Sequence, residues 1–264
     1  MISIVLPTYN GEKFIRQSIN SVINQTYKEW ELIIVNDCST DGTNKIVEEY
    51  AKSDTRISVI YNEVNQKLPA SLNIGFNRAK GDWYTWTSDD NVFKPEALDK
   101  MHKELMNNQS IDFIFSDYAV IDPDDFILFE VKTGPQEEIF LKNNIGACFL
   151  YKKELHQKLN GYNKEKFLVE DYDFWIRAYE KYTFKHMDVN LYYYRIHNSS
   201  LTAERKDSIR AATIRLLEEH YQNIPVNNNK LRHDVLSTIA QYYLKNMNYM
   251  KAFKFYLLDK KKGQ

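Results

Sequence analysis

The sequence predicts an α/β fold: a mixed, mostly parallel sheet flanked by helices, with a helical segment appended at its C-terminal end. Three observations support this class. Short aliphatic runs alternate with amphipathic stretches of helical period through the first part of the chain. The connections between them are short, which is typical of parallel sheets covered by helices on both faces. Beyond about residue 203 the apolar positions recur only at helical spacing.

The first part of the chain alternates predicted strands with predicted helices. The strands are short apolar runs that end in proline or polar residues, at 2–6, 31–36, 57–61 and 83–87. The first helix is expected to begin near Asn10, and Asp41 is expected to cap the second. The third helix follows Pro69 and stops at Gly81, and the fourth has Pro95 in its first turn.

The pattern changes after Ile111. Strand-rich segments are predicted at 112–116, 126–131 and 147–151, followed by a helix that begins near Asp171 and a strand at 191–196. The helical remainder is interrupted by Pro225 and the asparagine run 227–229. We therefore expect one α/β domain over 1–202 and a helical extension over 203–264.

Composition excludes several classes of protein. Hydrophobic residues make up 43% of the 264-residue chain, which is enough for a large buried core. The formal net charge of -1 argues against a globally basic nucleic-acid binder. Cys38 and Cys148 have no metal-finger spacing and suit a reducing compartment, so a cytoplasmic location is predicted. The N-terminal segment lacks the features of a signal peptide, and no window reaches the ~20 apolar residues of a membrane-spanning helix.

Polar loops follow the predicted strands, at 7–10, 36–39 and 87–91. Ligands of parallel sheets bind at the carboxyl ends of the strands, so these loops are the expected site. The chain has only 8 glycines and no glycine-rich phosphate loop, so a phosphorylated ligand would be held through a divalent metal. Asp89 and Asp90 fit that need. Taken alone, an Asp-Asp-Asn run at a strand end is also typical of a turn or a helix cap.

Four segments of the chain resemble glycosyltransferase family 2. The family usually opens with a strand ending in P-x-Y-N, followed by a helix ending in Q-T/S and the run V-D-D-G-S-T-D-G-T. In this chain the corresponding segments are PTYN, QT and VNDCSTDGT. GDWYTWTSDDN is similar to its G-E-Y-I-x-x-x-D-x-D-D block, VEDYDFWIRA to its E-D-x-x-L/F-W-x-R block, and YYYRIHNSS to its Y-R-x-H segment. The resemblance covers about residues 1–200 and implies a GT-A fold and an inverting nucleotide-sugar transferase.

The resemblance implies a nucleotide site at the N-terminal strand ends. The loop along the base is matched by Pro7, Thr8, Tyr9 and Asn10. Asp37 matches the acid that accepts a hydrogen bond from the base imide, which favours uracil or thymine; the alternative is a turn residue. Two further residues are matched to nucleotide contacts: Asn73, for which a structural role is an equal alternative, and Asp89, matched to the ribose.

The metal motif departs from the commonest family pattern. Ser88 stands where most members have the first acid of D-x-D, whereas members resembling spore-coat polysaccharide transferases carry a similar T-D-D-N. By that likeness Asp90 is the ligand of Mn²⁺ or Mg²⁺. Arg195 and His197 are matched to contacts with the diphosphate or the metal, and a satisfied polar role is the alternative for His197.

Asp171 matches the family's catalytic base. A carboxylate that removes the acceptor proton as the new bond forms contributes about 10²–10⁴ in rate. The alternative is a helix cap, since aspartate is common at helix N-termini. Glu170 is expected to orient or tune the base, and Arg177 lies in the same matched block as a supporting residue.

The leading hypothesis is an inverting, metal-assisted transferase that moves a sugar from a UDP- or dTDP-sugar to a glycan or lipid-linked acceptor in surface polysaccharide synthesis. The alternative is a catalytically silent nucleotide-sugar-binding module or a scaffold protein of a polysaccharide assembly. Two roles stay open for the C-terminal helices: contact with a protein partner, and peripheral contact with the inner face of the membrane. The tail lysines 260–262 could touch an anionic bilayer at about 1 kcal/mol per charge, while a solvated terminus is the simpler interpretation.

Overall fold

Strands and helices alternate along the chain in the computed structural model, which describes residues 1–225 and 227–260. The strands of these residues are β1 (Ile2–Thr8), β2 (Trp30–Asn36), β3 (Ile57–Tyr61), β4 (Trp83–Trp86), β5 (Val92–Phe93), β6 (Phe113–Ile121), β7 (Ile127–Val131), β8 (Phe149–Lys152) and β9 (Phe184–Arg195). The helices are α1 (Ile15–Ile23), α2 (Thr43–Ser53), α3 (Leu68–Arg78), α4 (Ala97–Asn107), α5 (Lys153–Lys158), α6 (Glu170–Tyr179), α7 (Leu201–Glu204), α8 (Lys206–His220), α9 (Asn229–Lys245) and α10 (Tyr249–Lys260).

The strands form one mixed sheet in the order β3-β2-β1-β4-β8-β6-β9-β5, with β7 paired to the outer part of β6. The pairs among β1, β2, β3 and β4 are parallel, and so is β6 with β9. Strand β8 lies antiparallel between β4 and β6, so those two strands run in the same direction. The carboxyl ends of β1, β2, β4, β6 and β9 therefore meet at one edge of the sheet, where the polar loops lie.

Helices cover both faces of the sheet because successive strand residues point to opposite faces. In β1, Ile2, Ile4 and Leu6 pack into the hydrophobic core formed with α1, α2 and α4. Val5 points the other way, into the core formed with α3 and α6. Apolar side chains of α8, α9 and α10 belong to this second core. The appended helices thus pack on the same face of the sheet as α3 and α6.

The helical remainder starts slightly earlier than predicted, at Leu201, and is broken near Pro225 as expected. Between α8 and α9 lies a short 3-10 turn, Tyr221–Asn223, and the side chain of Asn228 accepts a hydrogen bond from the Leu231 amide at the start of α9. Lys260 is the last residue of α10, whereas Lys261 and Lys262 of the predicted lysine tail lie outside the described residues. No helix within 1–225 and 227–260 combines the length and apolarity needed to cross a bilayer.

Several element boundaries differ from the sequence expectations. Helix α1 begins at Ile15 and not near Asn10, because Asn10 adopts a left-handed backbone (φ 57°) that cannot continue a helix. Strand β1 extends through Pro7 to Thr8, beyond Val5, the last residue that pairs with β4. Asp41 caps α2 from one residue further out than a usual N-cap, accepting from the Thr43 amide at 3.0 Å.

The first half of β9 and the two-residue β5 were not predicted, because their residues do not form a continuous apolar run. In the segment FKHMDVN at the start of β9, only Phe184 is fully buried. Pairing with β6 and β5 stabilises these residues as strand. A tertiary contact of this kind leaves little signal in local sequence.

Candidate active site

The loops after β1, β2 and β4 are tied together at the carboxyl edge of the sheet. Thr8 and Asn36 stand opposite each other at the ends of β1 and β2. The amide of Asp37 donates to the carbonyl of Thr8 at 2.8 Å. The hydroxyl of Thr8 in turn donates to Oδ2 of Asp89. Thr8 therefore links Asp37, the predicted base-binding acid, to the loop that carries Asp89 and Asp90, the predicted contacts of the ribose and the metal.

Asp37 is a buried carboxylate (4% exposed) that holds the segment 62–67. Its Oδ1 accepts from the side-chain amide of Asn62 and from the Gln66 amide, both at 2.7 Å, and its Oδ2 accepts from the Lys67 amide at 2.9 Å. An ionised carboxylate offers about four acceptor positions, so three donors leave room for one more, such as an imide N–H.

The loop after β1 is fixed by the loop after β2. Asn10 donates its amide to Oγ of Ser39 at 3.0 Å, and its side-chain oxygen accepts from the Thr40 amide at 2.8 Å. The Gly11 amide donates to Oγ1 of Thr43 at 2.9 Å. Within this loop the side chain of Tyr9 stays half exposed (53%).

Gly11 is required by the close approach of Asp89. A Cβ at this position would lie 2.2 Å from Oδ2 of Asp89 and 2.7 Å from Oγ1 of Thr8. Neither oxygen can move freely, because the two are hydrogen-bonded to each other. Any side chain at residue 11 would displace the Asp89 carboxyl.

Left-handed backbone at residues other than glycine recurs in the loops of this edge. Asn10, Cys38, Lys67 and Leu168 have φ values of 57°, 67°, 70° and 81°. Cys38 stands where the family's usual run has glycine, and Leu168 lies two residues before Glu170. Such conformations cost of order 1–3 kcal/mol each and cluster at functional sites.

Asp90 and His197 form a pair between the ends of β4 and β9. Nε2 of His197 lies 3.0 Å from Oδ2 of Asp90, while Nδ1 lies 2.9 Å from the Ser199 hydroxyl. Oδ1 of Asp90 is buried and has no hydrogen-bond partner among the residues that the structure describes. Burial and the neighbouring Asp90 charge raise the pKa of Asp89. Two adjacent acids with an unpaired buried oxygen are an environment that a cation would stabilise.

The donor set fits a hard divalent cation that keeps other ligands. No three His, Cys, Asp or Glu side chains of residues 1–225 and 227–260 converge as a complete cage. Mg²⁺ typically retains waters and substrate phosphates and is bound through one or two carboxylates, and Mn²⁺ favours the same oxygen ligands. A carboxylate oxygen of Asp90, with His197 beside it, is sufficient protein ligation for such a site.

Arg195 is fully engaged inside the protein (1% exposed). Its guanidinium donates to the carbonyls of Asp90 and Asp122, each at 2.9 Å, and to Oε1 of Gln17 at 2.6 Å. It also forms an ion pair with Asp125 at 2.7 Å. These contacts fix the backbone of Asp90, and they occupy the guanidinium of Arg195 within the protein. A diphosphate contact for Arg195 stays a prediction.

Asp171 is the second residue of α6 and lies at its N-terminal end. Its Oδ1 accepts from the Tyr172 amide at 2.6 Å, and its Oδ2 accepts from the side-chain amide of Asn143 at 3.0 Å. Burial raises the pKa of Asp171, while these two hydrogen bonds stabilise the ionised form and oppose the rise. The N-cap position of α6 is Val169, so Asp171 does not occupy the capping position that the alternative interpretation assumed.

Glu170 is a buried carboxyl (3% exposed) directly before Asp171. Its Oε2 finds no hydrogen-bond partner in the described part of the chain. Burial and the charge of Asp171 raise the pKa of Glu170 well above its usual range. Glu170 therefore holds a proton more readily than Asp171, whose two hydrogen bonds favour its ionised form.

The carboxylates of Asp90 and Asp171 both act on the phenol of Tyr194. Burial raises the pKa of the Tyr194 phenol, and the carboxylates of Asp90 and Asp171 add to the rise, so both lie within electrostatic reach of that ring. Trp86, at the end of β4, donates its indole N–H to the Tyr162 hydroxyl at 2.9 Å. The structure thus brings Asp37, Asp89, Asp90, His197 and Asp171 to one edge of the sheet.

Asn73 and Arg177 contact the loop before α6 instead of this edge. The Asn73 amide pairs with the backbone N–H and C=O of Tyr162, at 2.9 and 2.7 Å. Arg177 donates to the carbonyls of Leu159 and Gly161, at 2.9 and 3.0 Å. Both side chains fix the segment 159–162. A nucleotide contact for Asn73 stays a prediction.

Sequence reasoning missed several residues that hold the site. Gly11 and Gln17 were within the matched opening, but the family pattern assigns them no role. The Asp37 partner Asn62 and the Asp171 partner Asn143 lie far from these acids in sequence, so no local signal marks them. Only Gly11, directly after PTYN, could have indicated that another group approaches the backbone closely.

Comparison with known proteins identifies the family of the chain. A sequence model described as Glycosyl transferase family 2 matches residues 3–160. The putative teichuronic acid biosynthesis glycosyltransferase TuaG of Bacillus subtilis is 30% identical over 209 residues, covering 78% of this chain and 82% of the relative.

Solved structures show the same fold at low identity. S. aureus TarS 1–349 in complex with UDP-GlcNAc superposes with a TM-score of 0.67 at 17% identity, covering 96% of this chain and 90% of TarS. The mannosyltransferase PcManGT of Pyrobaculum calidifontis, in complex with GDP-Man and Mn²⁺, superposes with a TM-score of 0.69 at 16% identity, covering 100% and 76%. The predicted GT-A fold is thereby confirmed.

Proposed function

The chain belongs to glycosyltransferase family 2, and we propose that it transfers a sugar with inversion from a UDP- or dTDP-sugar to a glycan or lipid-linked acceptor. The observation that carries this proposal is the buried Oδ1 of Asp90, which has no hydrogen-bond partner among the described residues and lies beside His197, on the edge of the sheet where Asp37 and Asp171 also lie. The family resemblance inferred from the sequence is confirmed, and the chain is a glycosyltransferase.

Asp37 supports a pyrimidine donor. Its carboxylate retains one acceptor position after holding the segment 62–67, and a uracil or thymine imide N–H is the donor that fits it. Tyr9, half exposed beside it, offers an aromatic face to the base. The similarity to a putative teichuronic acid biosynthesis enzyme supports a role in surface polysaccharide synthesis.

In the proposed reaction the acceptor hydroxyl attacks the anomeric carbon on the face opposite the nucleoside diphosphate. The new C–O bond forms as the bond from the anomeric carbon to the diphosphate oxygen breaks, and Oδ2 of Asp171 takes the acceptor proton. Asn143 keeps Asp171 oriented and ionised. Glu170, which holds its proton more readily, adds little competing charge.

Asp90 and His197 are the residues that would hold Mn²⁺ or Mg²⁺. The ion, when bound, neutralises charge on the departing diphosphate. Arg195 supports this function indirectly, because its bonds to the carbonyls of Asp90 and Asp122 fix the loop. A cytoplasmic location is part of the proposal and is supported by Cys38 and Cys148, both free thiols.

A thermal-shift screen with nucleoside diphosphates and Mn²⁺ tests the donor site. UDP or dTDP at about 100-fold its Kd should stabilise the fold by about 2.7 kcal/mol, whereas GDP should have little effect. Gly11→Ala should abolish the shift, because the added methyl displaces Asp89. Gly42→Ala, where a Cβ would instead meet Glu12, is the control and should retain the thermal shift.

A thermal shift produced by GDP but not by UDP or dTDP would exclude the pyrimidine assignment. A shift with UDP but no turnover over many donors and acceptors would favour the silent binding module.

Asn143→Ala should move the acidic limb of the pH–rate profile to higher pH. The Asn143 hydrogen bond stabilises ionised Asp171, so removing it raises the pKa of the base further. Activity is lost as pH falls through that pKa, because a protonated carboxyl cannot accept a proton. We expect a several-fold loss of kcat/KM at an acidic pH on the falling limb and little change at a pH on the alkaline side of the plateau. Lys142→Ala, an exposed neighbour bound to Glu138, is the control. An equal loss at both pH values would show that Asn143 acts only on structure.

A further inference from the structure

Helix α10 has two apolar faces, and only one of them is covered. Ala252 and Phe255 are buried against the preceding helices. On the opposite side Tyr249, Met250, Phe253 and Leu257 are exposed. At 100° per residue these four lie within an arc of about 100°, which makes them one continuous stripe along the helix. We call this stripe the outer face of α10.

The outer face of α10 is unusually apolar for a solvent-exposed surface. Met250 is 87% exposed and Phe253 is 60% exposed. Leu244, near the end of α9, and Met247, in the turn between α9 and α10, are also exposed. A contiguous exposed apolar patch of this kind marks an interaction surface in a folded protein.

The exposed charged residues of α10 are all basic. Lys254 and Lys260 of α10 are exposed, as is Lys245 at the end of α9. The acidic residue of α10, Asp259, turns to the opposite side and binds His233 of α9 at 2.8 Å. Glu218 of α8 is likewise turned inward, where it pairs with Lys251 at 3.3 Å. The exposed side therefore combines aromatic, methionine and leucine side chains with lysines and presents no carboxylate of its own helix.

We propose that the outer face of α10 binds an anionic lipid bilayer, with the helix lying in the plane of the interface. Exposed tyrosine and phenylalanine with flanking lysines are the composition of interfacial helices. Anionic headgroups attract such lysines at about 1 kcal/mol per charge. Twelve residues span about 18 Å, so the helix is too short to cross the hydrocarbon core.

Charge distinguishes this occupant from a second copy of the chain. A two-fold contact sets the same patch of both copies against itself. Lys245, Lys254 and Lys260 would then face lysines with no carboxylate of α10 to pair with, and like charges across an interface oppose association. An anionic bilayer accommodates both features, because its interface buries the apolar stripe and its headgroups pair with the lysines. This inference is independent of the proposed donor, acceptor and mechanism.

Co-sedimentation of the full chain with lipid vesicles tests the proposal. The protein should bind vesicles that contain phosphatidylglycerol and show weak binding to pure phosphatidylcholine vesicles. The double variant F253S/L257S should reduce binding at least about tenfold, since both side chains lose their burial in the interface. Lys254→Glu should reduce binding about thirtyfold, because the reversal changes the local charge by two.

Matched control variants replace equally exposed residues elsewhere. Ile127→Ser with Phe129→Ser alters the exposed strand β7, and Lys52→Glu alters an exposed lysine on α2. Both should bind vesicles as the unaltered chain does. Circular dichroism and the Tm of each variant establish that it is folded. Lys254→Glu, an exposed change, keeps the test decisive if the double serine variant does not fold.

Three outcomes would overturn the proposal. One is absence of binding to vesicles containing phosphatidylglycerol. Another is binding that the α10 variants leave unchanged or that the β7 controls reduce instead. The third is a dimer in sedimentation velocity that F253S/L257S converts to monomer, since the outer face would then belong to a second copy. Donor-dependent thermal shifts in the same variants report separately on the proposed function.

Discussion

Replacing Asp171 with asparagine is expected to lower kcat by about 10²–10⁴ while leaving donor binding intact. Asparagine keeps the size of the side chain and can still accept from the Tyr172 amide at the start of α6. It cannot take up the acceptor proton. The measurement is steady-state transfer with a UDP-sugar, together with the thermal shift that UDP produces. Because the substitution changes the proton acceptor and not the nucleotide site, the transfer rate should fall while the thermal shift produced by UDP stays unchanged.

Glu170→Gln is the matched control for Asp171→Asn, since the two acids are adjacent at the start of α6. Burial and the charge of Asp171 hold the pKa of Glu170 above neutrality, so glutamine reproduces its neutral form. We expect kcat to stay within about threefold of the unaltered enzyme. A large loss in Glu170→Gln with transfer retained in Asp171→Asn would reverse the assignment of the base. Retained transfer in both variants would exclude base catalysis by this pair.

Asp90→Asn is expected to lower kcat by about 10²–10³ and to weaken activation by Mn²⁺ or Mg²⁺. The amide removes the negative charge from the buried Oδ1 position that has no other partner within the described residues. Without that charge, the cation and the diphosphate are held less well. Titrating activity with Mn²⁺ should show the midpoint moving to higher concentration. His197→Ala should shift the midpoint in the same direction.

Asp124→Asn serves as the control for this prediction. Asp124 is an exposed acid on the nearby turn, and its backbone amide donates to Asp122. Removing its charge changes the surface near the site without touching the Asp90–His197 pair. Its metal response should match that of the unaltered enzyme. If Asp90→Asn retained full activity at the same metal concentration, Asp90 would not be the ligand.

The strand and helix assignments of the first part of the chain were predictable because they rest on local patterns. Strand β3 was predicted with the observed limits, since an aliphatic run of this length is typical of a buried strand. The start of α1 was wrong by five residues because the left-handed backbone of Asn10 is set by hydrogen bonds to Ser39 and Thr40. The Asn10-Gly11 pair is a local turn signal, but its partners Ser39 and Thr40 lie far from it in sequence.

The family, the order of the main strands and helices, and the acids at the strand ends could be inferred from the amino-acid sequence alone. Each of these depends on residues that are close together along the chain. The packing of Arg195 against the Asp90 backbone, the bond from Asn143 to Asp171 and the burial of Glu170 became apparent only in the folded structure. So did the exposure of the outer face of α10, which no element within residues 1–225 and 227–260 covers. Burial and long-range hydrogen bonds set these features, because they depend on which distant segments the fold brings into contact.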